Sequence, residues 1–194
     1  MLIYKSIVIL AVCGGLNWAS VYFGHHVGMM AYAPGEGLPA IKFELEKYDQ
    51  LFYDTYYSEE AVAFTFNMDA DLTSLFNWNT NLVFASLVIT YESGPKDGGM
   101  LNEITIWDKR MLRTNDKDYH LKLKNEWIEY YLTDVNKSLM GKTVDVFLRW
   151  EQLATIGPYY AGSKKIGTLR VPKKYRGSRS RKYIPGPQGR KQNY

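Results

Sequence analysis

Val62, Phe64, Phe66, Met68 and Ala70 occupy every second position of one stretch, and Val144, Val146, Leu148 and Trp150 repeat the pattern later in the chain. A period of two lines these side chains along one face of an extended strand, whereas a helix of about 3.6 residues per turn would scatter them around its axis. A strand with one apolar face cannot bury it alone. The chain must therefore supply further strands and a second layer to cover them.

Those strands are legible. Ile41, Phe43 and Leu45 alternate with charged residues in a first one. Leu82 to Tyr91 is apolar on both faces, which suits a central strand. Ser93 to Gly99, with Gly94-Pro95 and Gly98-Gly99, has the chemistry of a hairpin loop, and Ile104, Ile106 and Trp107 mark the returning strand. Between them Leu72, Leu75 and Phe76 fall on one helical face, which predicts one or two helical turns crossing the end of a sheet. Leu121 to Thr133 fits two patterns: Ile128, Tyr130 and Leu132 alternate, while Leu121, Asn125 and Ile128 would suit a helix. The preferred reading is a strand beginning near Trp127. Gly162 to Val171 supplies a last strand before Pro172. Seven or so short strands separated by turns predict a mainly β chain, an antiparallel β-sandwich with Phe66, Trp107, Leu148 and Trp150 buried. The aromatic content of 15%, with 16 Tyr, agrees with β structure rather than disorder.

The N-terminal part has a different grammar. From Ser6 to Gly35 no residue carries a formal charge, and Ile7 to Phe23 is its apolar heart. A membrane-spanning helix needs about 20 apolar residues to cross roughly 30 Å of hydrocarbon. This stretch is long enough for one crossing, with Trp18 and Tyr22 at the depth of the far interface. A buried core helix and a cleavable signal peptide, with Ile7 to Cys13 as its apolar core, are the other readings. Retention of the segment behind Met1 favours an uncleaved signal anchor over residues 1–32. Lys5 and the α-amino group on the short side keep the N-terminus cytosolic and send the body across the membrane. A mean hydropathy of −0.31 excludes a protein of many spans. Ala33 to Pro39, rich in Pro and Gly, reads as a linker.

The net charge of +4 conceals two opposite parts. Eleven of the 24 Lys and Arg lie after residue 163, where there is no Asp or Glu. That leaves 13 basic and all 20 acidic side chains in residues 1–163, a net of −7. The tail over 176–194 has Gly, Pro, Ser and Arg but few apolar residues and cannot fold by itself. It is either a solvated extension or a binder of something anionic: lipid headgroups, an acidic partner or RNA. Its aromatic residues are too sparse to single out nucleic acid.

Residues for catalysis are scarce. Nucleophilic catalysis needs a Ser, Thr or Cys beside a base. Cys13 lies in the proposed span, and with only three His (His25, His26 and His120) there is neither a disulfide framework nor a zinc cluster. His120 stands in a charged stretch, as a solvated surface residue does. Ser163-Lys164 and Ser138 near Lys142 are Ser–Lys pairs by composition, but a basic loop does not make a neutral Lys. The carboxylate pairs Asp69/Asp71 and Glu59/Glu60 carry no motif, and no phosphate-binding or dinucleotide fingerprint is present. The expectation is a chain with no catalytic residues, no metal and no cofactor. One modification motif stands out: Asn136-Lys137-Ser138 is an N-glycosylation acceptor between two strands, and the anchor's orientation would place it in a glycosylating lumen.

From Glu60 to Arg113 the residues resemble a known family. Phe64-Thr65-Phe66-Asn67-Met68-Asp69-Ala70-Asp71-Leu72, then Leu75-Phe76-Asn77-Trp78-Asn79-Thr80, then Val83-Phe84, look like the signature of signal peptidase complex subunit 3. Ile104-Thr105-Ile106-Trp107-Asp108-Lys109, the late strand Val144 to Trp150 and Gly167-Thr168-Leu169-Arg170-Val171-Pro172 continue it. The resemblance runs from the N-terminal segment to about Tyr175. Asn81-Leu82 stand where family members carry Lys-Gln, Glu151-Gln152-Leu153-Ala154 where they tend to Asn-x-x-Pro, and the tail after Tyr175 is generally lacking in them.

The resemblance implies a single-pass endoplasmic reticulum membrane protein with a lumenal β-sandwich over 33–175. It would be a non-catalytic accessory subunit that binds and positions the catalytic subunit of the complex. The resemblance assigns no residue to a partner contact, and the chain that meets the face around Trp78 and Trp107 would be the most informative one to identify. The rival expectation keeps the fold and places the chain as a structural subunit of another large membrane assembly, such as a mitochondrial one, because of the basic tail.

Overall fold

The computed structural model of the chain describes residues 2–30, 40–54, 59–94, 99–114, 119–155, 159–175 and 178–179. Helix α1 covers Leu2–Met30. Its side chains at positions 4–16 are all exposed, so over this stretch it is not a buried core helix. Among the described residues no helix is long and apolar enough to cross a membrane; within α1 the described side chains are those of residues 4–16, 18 and 19. The linker expected at Ala33 to Pro39 lies outside the described residues.

Among the described residues nine strands follow: β1 (Ala40–Asp54), β2 (Glu59–Asp71), β3 (Thr80–Glu92), β4 (Leu101–Leu112), β5 (His120–Trp127), β6 (Leu132–Asp134), β7 (Thr143–Ala154), β8 (Tyr160–Arg170) and β9 (Ser178–Arg179). One sheet has the order β5-β2-β1-β9, with β6 also pairing β2, and the other has the order β4-β3-β7-β8. Every pairing is antiparallel except the short parallel one between β1 and β9. The apolar phases noted in the sequence face each other between the sheets. Val62, Phe64, Phe66, Met68 and Ala70 of β2 share one core with Val83, Leu87 and Ile89 of β3 and Val144, Val146, Leu148 and Trp150 of β7. Phe66 and Trp107 meet edge to face across the layers, with ring centroids 6.3 Å apart, and Phe43 stacks on Phe66 at 5.8 Å. All four residues expected in the core are there. Trp107 is fully buried, and its indole Nε1 has no hydrogen-bond partner.

The segment Leu121 to Thr133 corrects the expectation of a strand starting near Trp127: the strand β5 ends there. A bulge between Phe66 and Met68 of β2 puts Asn125 of β5 at φ 51, with its N–H donated to Asn67 Oδ1 at 2.7 Å. The extra residue breaks the alternation and imitates a helical spacing. After Ile128 the chain touches the other sheet at Glu129 and Tyr130 before β6 returns to pair with β2. Ile106 is the extra residue in a bulge of β4 opposite Leu87 and Val88, and its carbonyl accepts the N–H groups of Glu129 (2.8 Å) and Tyr130 (3.0 Å).

The turns expected at Asp71–Phe76 reduce to one 3-10 turn, Thr73–Leu75, with Asp71 Oδ1 accepting the Thr73 N–H at 3.0 Å. The hairpin expected at Ser93 to Gly99 is described only at its ends, where the Ser93 N–H donates to the Met100 carbonyl at 2.8 Å and Gly99 sits at φ +64. Of the tail, residues 178–179 pair with Tyr53 and Asp54, so part of it completes a sheet edge rather than standing alone.

Candidate functional site

Two constellations at opposite ends of the sandwich hold side chains that the core does not require. The first is the turn Asn77-Trp78-Asn79-Thr80. Asn77 Oδ1 accepts the N–H groups of Asn79 (2.8 Å) and Thr80 (2.9 Å), and Thr80 Oγ1 accepts the Asn77 N–H at 3.2 Å. Such a closed set of local bonds is what makes Asn and Thr good turn residues. The turn is tied to its neighbours: Thr155 donates its N–H to the Asn79 carbonyl at 2.8 Å, and the Arg113 guanidinium donates to the Trp78 carbonyl. Beside it Phe76 stacks on Tyr119, whose hydroxyl donates to the Arg113 carbonyl at 2.5 Å. Asn79 and Thr80 are buried, yet the Trp78 side chain stands 57% exposed. The turn is a rigid mount for an indole in solvent.

The second constellation is at the other end, where Glu60 of β2 pairs with Asp134 of β6. Glu60 is 1% exposed, accepting the Leu139 N–H at 2.8 Å on one oxygen and the Tyr175 hydroxyl on the other. Asp134 accepts the N–H groups of Asn136 (3.1 Å) and Ser138 (2.7 Å) and the Ser138 hydroxyl (2.5 Å). Burial, then Glu60, pushes the Tyr175 hydroxyl up to about 12; burial, then Asp134, pushes that of Tyr91 up too. The two carboxylates fasten the loop after β6 and the end of the domain to the sheet. Glu60 was legible in the sequence as a lone acid in the same inward phase as Val62 and Phe64, a signal that belongs to no motif.

The candidate catalytic pairs do not assemble. In β8, Ser163 and Lys164 are sequence neighbours and so point to opposite faces, as do Glu59 and Glu60 in β2. The Ser138 hydroxyl is bound to Asp134, and the Lys142 ammonium donates to the Glu92 carbonyl beside the Tyr91 ring. His120 Nε2 lies 2.5 Å from Asp69 Oδ1 on an exposed edge, and Cys13 is a free, exposed thiol of α1. That hydrogen bond from His120 holds the Asp69 carboxyl below its ordinary value, and the Thr73 bonds do the same for Asp71. Among the described residues no group of three or more His, Cys, Asp or Glu could hold a metal ion. Trp107, taken with Trp78 as one contact face, is fully buried, which leaves only Trp78 to meet a partner.

The class this defines is a two-sheet antiparallel scaffold behind an N-terminal helix, with a rigid turn that presents an indole to its surroundings. The chain belongs to the signal peptidase subunit family, whose sequence profile matches residues 2–174. It is similar to the protein named signal peptidase complex subunit 3 from Yarrowia lipolytica, 42% identical over 116 residues, which is 59% of this chain and 60% of that one. The proteins of the same name from Debaryomyces hansenii and Homo sapiens are 37% and 32% identical, over 50% and 56% of this chain and 49% and 57% of theirs. The matches thus span about half to three-fifths of these relatives. The solved structure of Spo0M, a sporulation control protein from Bacillus subtilis, is 16% identical at a TM-score of 0.27, covering 69% of this chain and 49% of that one. A likeness that slight has no bearing on function.

Proposed function

We propose that this chain is a non-catalytic accessory subunit of the endoplasmic reticulum signal peptidase complex. In this reading α1, within residues 1–32, anchors the chain with its N-terminus in the cytosol. The sandwich over 33–175 stands in the lumen, where it positions the catalytic subunit that removes signal peptides from secretory proteins. The observation that carries the reading is the family match over 2–174, which takes in the helix and both sheets. A positioning role needs a stiff surface and a fixed depth rather than reactive side chains, and the buried aromatic core supplies the stiffness.

Lumenal placement makes Asn136 a glycan acceptor. It is exposed in the turn between β6 and β7, at the opposite end of β2 from Ala40, where the connector from α1 arrives. The tag-purified full chain from detergent-solubilised microsomes should bring down a catalytic signal peptidase subunit and shift on glycosidase treatment, the shift vanishing with Asn136→Gln. Recovery in mitochondria with a different assembly would replace this reading with that of a structural subunit elsewhere.

A further inference from the structure

The end of the sandwich that receives the connector from α1 is also an end at which apolar side chains stand in solvent. Ala40 pairs with Asp71, so this end comprises the start of β1, the end of β2, and, beyond the 3-10 turn, the start of β3. On the outward face of the second sheet Leu82 pairs with Leu112 on one side and Leu153 on the other, a single apolar row across three strands at this end. Leu112 is 46% exposed and Leu153 40% exposed. Trp78 projects from the turn just before β3, its carbonyl held by Arg113, and Tyr159 precedes β8 at 66% exposure.

We infer that this end of the sandwich rests on the surface of the membrane, with Trp78 among the lipid headgroups and Arg113 against lipid phosphates. The inference rests on the proposed anchoring of α1 and adds a second, independent contact with the bilayer. Chain length argues for lipid as the occupant. Ten residue steps separate Met30 from Ala40, at most about 3.6 Å each, so the start of β1 cannot stray more than about 36 Å from the end of α1. The opposite end, where β2 begins, has that limit extended by the length of the strand, about 40 Å, and is held to the bilayer less closely. Composition argues the same way. Trp, Tyr and Arg beside Leu are the residues that settle at the boundary between hydrocarbon and water, where a ring or guanidinium meets headgroups and an aliphatic side chain meets acyl carbon. Of the acidic side chains described toward this end, Asp69 and Asp71 belong to the other sheet and are engaged with His120 and the Thr73 N–H, while Glu151 of β7 is exposed on the outward face one row in from Leu153, away from Trp78 and the turn.

The test is tryptophan quenching of the full chain in vesicles containing lipid brominated near the headgroup, comparing the wild type with Trp18→Phe, Trp78→Phe and the double variant. Trp107 and Trp150 lie in the core and contribute little, and Trp127, half-buried at the end of β5, gives the same background in every variant. Quenching that survives Trp18→Phe and falls at least about twofold in the double variant is the expected result. Equal quenching in those two variants overturns the inference. The anchor is tested separately by alkaline carbonate extraction of microsomes carrying the full chain: release of the chain into the supernatant overturns the anchor alone, whatever Trp78 does. In native microsomes a photoreactive group at position 78 should capture lipid; capture of a protein subunit instead overturns the inference in favour of a protein interface.

Discussion

Arg149 on β7 and Glu103 on β4 form an ion pair that bridges the intervening strand β3 on the outward face of the second sheet. Arg149 lies opposite Ser86 and Glu103 opposite Thr90, so the pair passes over Val88, midway between them. Val88 faces outward yet is only 4% exposed. The pair therefore acts partly as a cover for an apolar residue. Both partners are more than a third exposed, so their attraction is screened and contributes under about 1 kcal/mol. Arg149→Ala should lower stability by about 1 kcal/mol, while Arg149→Met, which keeps the aliphatic cover, should cost less. Urea unfolding of the three proteins checks the order.

The edge-to-face contact of Phe66 with Trp107 joins the two sheets at the centre of the core. Phe66→Ala opens a cavity there and also removes the stacking partner of Phe43. A loss of about 3–5 kcal/mol is expected, read as a fall in the urea midpoint with the slope unchanged.

Glu60→Ala should be costly for a different reason. It leaves the Leu139 N–H and the Tyr175 hydroxyl without their acceptor, one of them fully buried with the carboxylate. Hydrogen bonds to a charged acceptor contribute about 1.5–3 kcal/mol each, so a loss of about 2–4 kcal/mol is expected. Hydrogen exchange should localise the damage, with protection lost first at Leu139 and in the turn after β6.

Acid should weaken the fold through a small set of carboxylates. Asp69, Asp71, Glu103 and Asp145 are all held below their ordinary values, by His120, Thr73, Arg149 and Lys165 respectively. A group whose folded value is depressed stabilises the fold above its unfolded value and loses that contribution as pH falls through the folded one. With ordinary carboxylates near about 4, stability should be flat from neutral pH down to about 5 and decline below about 4. Asp145→Asn together with Glu103→Gln should flatten that decline, as measured by urea midpoints across the range.

Much of this architecture was open to reading from side-chain period alone. Strand β7 carries it without interruption, and Val144, Val146, Leu148 and Trp150 are all buried. Strand β5 resisted because a single residue, Asn125 at positive φ, shifts the phase halfway along, and a bulge leaves no mark in composition. The two constellations differ in the same way. Asn77 and Trp78 were visible as a motif, but only the fold separates Trp78 from Trp107, placing one outside and the other in the core. The partners of Glu60 come from Leu139 and Tyr175, 79 and 115 positions away, and no local pattern announces contacts of that range.

The turn that carries Trp78 should be separable from the indole itself. Asn77 Oδ1 is the sole side-chain acceptor named for two consecutive backbone N–H groups, those of Asn79 and Thr80, and Asn79 and Thr80 are both buried. Asn77→Ala removes that acceptor and should lower stability by about 1–2 kcal/mol, comparable to losing a helix cap. Asn77→Asp keeps both bonds and should cost little. Trp78→Ala removes an exposed side chain, and neither the Arg113 bond to its carbonyl nor the Thr155 bond to the neighbouring Asn79 carbonyl involves the ring, so stability should change by less than about 0.5 kcal/mol. If the turn is a mount and Trp78 the part that makes contact, recovery of the chain with its membrane or its partners should fall in Trp78→Ala without any loss of stability. Thermal unfolding and co-purification, measured on the same three variants, separate the two roles.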